Sequence, residues 1–177
     1  LLILSGLPLL FLYVPSVERA YQSVKDIEFV ITFGSWIRAV HRISAHLMVM
    51  VVFLHLVRVF LTGAYKNGVG QGQRREWNWV IGVVMLLLTL FLSFTGYLLP
   101  WDQLALWAVA VGTNMIGYTP VFGQDVRFVL LGGAEIGSET LLRWYVLHVL
   151  FFPFVIVIFM AIHFWRVRKD GGISGPL

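Results

Sequence analysis

The sequence predicts an all-α membrane protein, a four-helix transmembrane bundle whose first helix is truncated. Three observations carry this. Of the 177 residues, 59% are hydrophobic and only 12% are charged, about half the charged share of a soluble domain. The charges cluster between long apolar stretches. Four of the five histidines form two pairs of nearly equal spacing inside two of those stretches. The length fits a single domain over 1–177. In such a chain the net charge of +4 belongs to loops, and it points to no nucleic-acid partner.

Residues 1–14 are apolar but too short to span, and read as the end of a helix that begins upstream. The opening lacks the basic flank and small-residue cleavage site of a signal peptide. Residues 15–34 form a charged loop. Residues 35–61 are long enough to cross a bilayer, although they carry Arg38, Arg42 and Arg58. A basic loop follows at 64–78. Residues 79–99 form a second full span, and 141–165 a third, longer than needed and so expected to tilt or protrude. The long segment 101–140 has room for surface helices, with 101–111 the best candidate. Trp36, Trp77, Trp79, Trp101, Trp144 and Trp165 sit near span ends, as an aromatic belt requires.

Loop charges orient the bundle. Lys66, Arg74 and Arg75 outweigh Glu76 in 64–78, and Arg166, Arg168 and Lys169 outweigh Asp170 in the tail. Both ends belong on the negative side. The acidic segments 15–34 and 101–140 belong on the positive side, and the sides alternate correctly across three spans.

His41 and His55 lie fourteen positions apart. Fourteen helical steps turn ~1400°, forty degrees short of four circles, so the two share a face about 21 Å apart. His148 and His163 lie fifteen apart on the last span, with Pro153 between them. Fifteen steps overshoot by ~60°, and a proline that bends or rewinds the helix can absorb the difference. Two facing helices of this kind build two bis-histidine sites, one above the other. Neutral imidazole is a common axial ligand of haem iron. The pattern therefore predicts two stacked b haems, His41 with His148 on the positive side and His55 with His163 on the negative side. A lone membrane histidine is more often an interhelical hydrogen-bonder; the matched pitch favours ligation.

His46 lies five residues after His41, ~140° around the helix, and cannot share that site. It reads as a structural or cavity-lining residue. Arg38 and Arg58 each sit one turn outward of a histidine, where guanidinium can bind a haem propionate bidentately; Arg42, a turn from Arg38, adds a second cation. Snorkelling is the alternative. Gly82 and Gly96 repeat the fourteen-residue pitch on the middle span. They either let the macrocycle approach the backbone or serve ordinary helix packing. Gly6 is half of a similar pair. The chain has no cysteine, which excludes disulfides, iron–sulfur clusters and thioether-linked haem within these residues.

These residues resemble the amino-terminal half of the cytochrome b/b6 family over essentially the whole chain. The resemblance is carried by Arg38-Ala39-Val40-His41-Arg42, His55-Leu56-Val57-Arg58, the Gly-Tyr-Leu-Leu-Pro-Trp-Asp run at 96–102, Arg143-Trp-Tyr-Val-Leu-His148, the run from His163 to Asp170, and Ile-Ser-Gly-Pro-Leu at 173–177. The fifteen-residue spacing follows the short, split b6 type. The resemblance implies a dihaem electron-transfer subunit of a quinol–cytochrome c or plastocyanin oxidoreductase. It implies a low-potential haem at His41 and His148 and a high-potential haem at His55 and His163. It also implies a Rieske iron–sulfur protein, a c-type cytochrome and a homodimeric complex. Arg168 matches a position lining the negative-side quinone pocket, where a cation stabilises developing negative charge. Asp102 lies near the positive-side quinol pocket, and is read as scaffold first. The family's Pro-Glu-Trp-Tyr segment is absent here. In the split arrangement it belongs to a separate carboxy-terminal subunit, so this chain is expected to act only in complex. An extra haem c, held in b6-type subunits through a cysteine on the first helix, stays undecided because the first helix begins after that position. Leu142, Trp144 and His46 depart from the usual family residues. The stretch 101–137 resembles bacterial menaquinol-type complexes, which implies menaquinol and a bacterial cytoplasmic membrane in preference to a thylakoid. Two rivals are a dihaem anchor of a quinone-reducing dehydrogenase or hydrogenase, and a haem-free transporter bundle.

Overall fold

The computed structural model describes residues 1–67 and 74–170. Part of the basic loop and the 173–177 motif lie outside the described residues. The described chain is helical: α1 Leu2–Leu12, α2 Ala20–Phe29, α3 Gly34–Leu61, α4 Arg75–Leu98, α5 Gln103–Gly117, α6 Gly123–Leu131, α7 Ser138–Val146 and α8 Phe152–Lys169. A π-helical turn at Leu147–Phe151 joins α7 to α8 in one rod.

Three helices are long and apolar enough to cross a membrane, Gly34–Leu61, Arg75–Leu98 and Ser138–Lys169. They match the expected spans to within a few residues, and the third is 32 residues long. Their most apolar windows are 0%, 11% and 0% buried, so few of these side chains belong to the packed core. The buried core lies elsewhere. Leu98, Trp101, Ala105, Val109, Leu131, Leu141 and Trp144 pack with Tyr13, Ala20 and Ile27, where α2, α5 and α6 cap one end of the bundle. A surface cap lacks lipid to cover its apolar side and must bury it on protein.

Helix α5 is the expected surface helix, extended to Gly117. It buries Ala105, Val109, Thr113 and Gly117, one residue per turn. Asp102 caps it, its Oδ1 accepting from the Ala105 amide at 2.8 Å. The preceding Trp101 takes a positive φ of 52°, which turns the chain sharply out of α4. Helix α2 falls in the segment 15–34 that was expected to be loop, and α6 falls in the segment 101–140 that had room for surface helices without its place being given. Both are short and neither has the run of apolar residues that marks a span. Helix α2 docks tightly on the start of α3. A Cβ on Gly34 would lie 2.1 Å from the Ile27 carbonyl oxygen, so a side chain there would separate the two.

In the bundle α3 packs on α1 and α4, and α8 packs on α4. Between α3 and the α7–α8 rod there is no comparable packing among the described residues. At the other end of the bundle Arg75 Nε donates to the Asp170 carbonyl at 3.2 Å and Arg166 Nη2 to the Arg74 carbonyl at 2.5 Å. These bonds hold the start of α4 against the end of α8.

Candidate functional site

Across the space between α3 and the α7–α8 rod the histidines meet in pairs. The His41 and His148 ring centroids are 6.3 Å apart with planes at 76°. The His55 and His163 centroids are 6.5 Å apart at 80°. His148 lies inside the π turn. A π turn takes up one extra residue, so fifteen positions carry the rotation of fourteen α-helical steps and end ~40° short of four circles. That is the offset of His41 and His55 on α3. Pro153 stands at the first turn of α8, where its missing amide proton is tolerated.

Each ring has a distinct neighbourhood. His41 Nδ1 is 3.0 Å from Ser5 Oγ of α1. His148 Nδ1 is 3.0 Å from the Leu92 carbonyl and 3.2 Å from Thr95 Oγ1 on α4. His163 Nδ1 is buried without a hydrogen-bond partner, and His55 is exposed. The sequence reading missed Ser5 and Thr95. Their signal was a hydroxyl residue placed directly before Gly6 and Gly96.

The glycines stand against the imidazoles. A Cβ on Gly96 would lie 2.5 Å from His148 Cε1, one on Gly6 3.2 Å from His41 Cε1, and one on Gly82 3.6 Å from His163 Cε1. A macrocycle was the partner considered for them; the nearest side-chain atoms are ring carbons of the histidines.

The framing cations lie outside this core. Arg38 forms an ion pair with Glu28 of α2 at 2.5 Å, both about one-third exposed, a partner that sequence spacing did not suggest. Guanidinium has five donors, so the pair leaves most of them free for a second anion. Arg42 and Arg58 are exposed on α3. Arg58 lies in the last turn, where a cation is favoured by the helix dipole. His46 is exposed and ~140° around α3 from His41, away from both pairs. Arg168 is exposed in the last turn of α8. Asp102 lines a cleft of about 460 Å³ with Tyr21, Trp101, Gln103 and Leu104.

The donor set fits a haem. One metal bonded at about 2 Å by one nitrogen from each of two opposed rings holds their centroids a little over 6 Å apart, as in both pairs. No group of three or more His, Cys, Asp or Glu is placed to hold a bare ion among the described residues. Two imidazoles alone leave the other positions of an iron to a macrocycle. The unpacked space between α3 and the rod is where a flat group between the rings would lie.

The chain is similar to known proteins over almost its whole length. Residues 1–171 match the family described as cytochrome b/b6/petB. The chain is 44% identical over 174 residues to cytochrome b6 of Heliomicrobium gestii, covering 98% of this chain and 78% of that protein. It is 43% identical over 173 residues to cytochrome b6 of Synechococcus elongatus, covering 98% and 77%. It superimposes on a chain of a hyperthermophilic respiratory Complex III with a TM-score of 0.81 at 31% identity. The match covers 99% of this chain and 45% of that one, so the present chain spans less than half of that protein's length.

Proposed function

The chain belongs to the cytochrome b/b6 family, and from that membership we propose that it is the dihaem electron-transfer subunit of a quinol:cytochrome c oxidoreductase. The family is one of haem b proteins, and bound haem supplies reversible one-electron iron chemistry. His41 and His148 hold the positive-side, low-potential group, and His55 and His163 the negative-side, high-potential group. The observation that carries this is the pair of opposed rings at each of two levels, across a gap that the helices do not fill.

The remaining residues serve that transfer. The apolar lengths of α3, α4 and α8 would place both ring pairs within the lipid layer. Arg38, Arg42 and Arg58 offer guanidinium donors for propionates near the two membrane surfaces. Quinol is oxidised at the positive side near the cleft beside Asp102, one electron passing to a Rieske iron–sulfur protein. The other crosses the membrane to quinone beside Arg168, whose charge stabilises the developing anion. This Q cycle contributes to the proton gradient. The partners are the Rieske protein, a separate carboxy-terminal cytochrome b half and a c-type cytochrome, in a homodimer. The membrane is the bacterial cytoplasmic one, with menaquinol as substrate.

The test uses the purified whole complex. Replacing His148→Leu removes one b-haem signal from the reduced-minus-oxidised spectrum and leaves the other. Retention of both refutes the assignment.

A further inference from the structure

Two dipeptides, Ser5-Gly6 on α1 and Thr95-Gly96 on α4, hold the two positive-side rings in the same way. Ser5 Oγ is 2.9 Å from the Leu1 carbonyl and 3.0 Å from His41 Nδ1. A hydroxyl has one proton, and a carbonyl can only accept. With that proton given to the Leu1 or Leu2 carbonyl, 2.9 and 3.2 Å away, Oγ accepts from His41 Nδ1–H. At the other ring, Thr95 Oγ1 donates to the Leu92 carbonyl at 2.9 Å. His148 Nδ1–H donates to that carbonyl at 3.0 Å, with Thr95 Oγ1 a second acceptor at 3.2 Å. Both rings are thereby fixed as Nδ1–H tautomers, with the Nε2 lone pair free.

The negative-side level breaks the pattern. The residue before Gly82 is Ile81, which has no hydroxyl. His163 Nδ1 is buried without a hydrogen-bond partner. The Asn78 carbonyl, fourteen positions before Leu92, is near enough to act as an acceptor for that ring, though it makes no hydrogen bond of full geometry, so the difference between the two levels is the hydroxyl.

A ligand imidazole that donates its second N–H to an acceptor becomes more basic and favours the oxidised metal. The Ser5 hydroxyl is a better acceptor for being itself a donor to a backbone carbonyl. We propose that Ser5 and Thr95 are positioning residues that lower the reduction potential of the group held by His41 and His148. The missing hydroxyl at Ile81 leaves the group held by His163 at higher potential. This rests on the ligation proposed above.

The test is a redox titration of each haem signal in the purified complex, with electron paramagnetic resonance of the ferric forms. Ser5→Ala raises the positive-side midpoint by on the order of tenfold in the oxidised-to-reduced equilibrium, which is about 59 mV for one electron. Ser5→Thr restores it. Ile81→Thr lowers the negative-side midpoint. If Ser5→Ala fails to assemble, Ile81→Thr decides. Unchanged midpoints with both signals present overturn this proposal alone. Absence of two bis-imidazole signals in the unsubstituted complex overturns it together with the ligation.

Discussion

The Phe152 amide donates to the Leu147 carbonyl, five residues back, one more than an α-helix uses. This single bond lets His148 and His163, fifteen positions apart, meet two rings that are fourteen apart on α3. The turn sits just ahead of Pro153, which cannot donate to the carbonyl four residues back. A register that would be wrong in an unbroken α-helix is thereby made right.

Inserting one alanine after Val49 tests that register. Helix α3 has neither a π turn nor a proline in its span, so the insertion swings His55 by ~100° relative to His41. One b-haem signal should be lost from the difference spectrum. Deleting Leu150 together with Pro153→Ala should keep both signals, since fourteen plain α-helical steps give the same rotation. Loss of both signals in the deletion variant would show that the π turn has a role beyond register.

The glycines make a graded series. An alanine at position 96 puts its Cβ 2.5 Å from His148 Cε1, whereas one at 82 lies 3.6 Å from His163 Cε1, ordinary contact. Gly96→Ala should cost a large part of the positive-side haem, Gly6→Ala less, and Gly82→Ala almost nothing. Haem content per protein, measured on the purified complex, ranks them. Equal losses at positions 82 and 96 would contradict the close approach at Gly96.

Asp102 has two readings that one substitution separates. As the cap of α5 it satisfies the Ala105 amide. Asp102→Ala should lower stability by about 1 kcal/mol, read as a fall in Tm, while Asp102→Asn keeps the cap. Quinol oxidation that falls equally in both variants would point to the carboxylate charge at the neighbouring cleft.

Arg38 and Glu28 form a half-exposed pair, which is worth less than about 1 kcal/mol. Glu28→Gln should leave thermal stability within that range, and salt should weaken the contact. Arg38→Leu should do more than Glu28→Gln to the positive-side haem, because it removes the donors and not only their protein partner. Matching effects of the two substitutions on haem content would assign Arg38 to the α2–α3 contact alone.

The spans were legible from apolar length, since a helix in lipid satisfies its own backbone and only its side chains meet the solvent. The surface helix after Trp101 was legible for a similar reason, though its end at Gly117 was not. Helix α2 escaped notice, and α6 was foreseen only as room for a surface helix, because each depends on the core it joins, where Ile27 and Leu131 are buried. Arg38 gave no sign of Glu28, ten positions earlier, because no helical spacing links residues on two elements.

By itself the sequence determined the three long apolar helices and the two histidine levels along each of two helices, because helix pitch and lipid thickness act locally. The pairing of the rings was foreseen from their spacing, but tertiary structure alone decided that the fifteenth residue is taken up at Leu147–Phe151 and that Ser5 and Thr95 reach the His41 and His148 rings. Those outcomes depend on which helix stands beside which, and interhelical distance is set by packing that no single segment encodes.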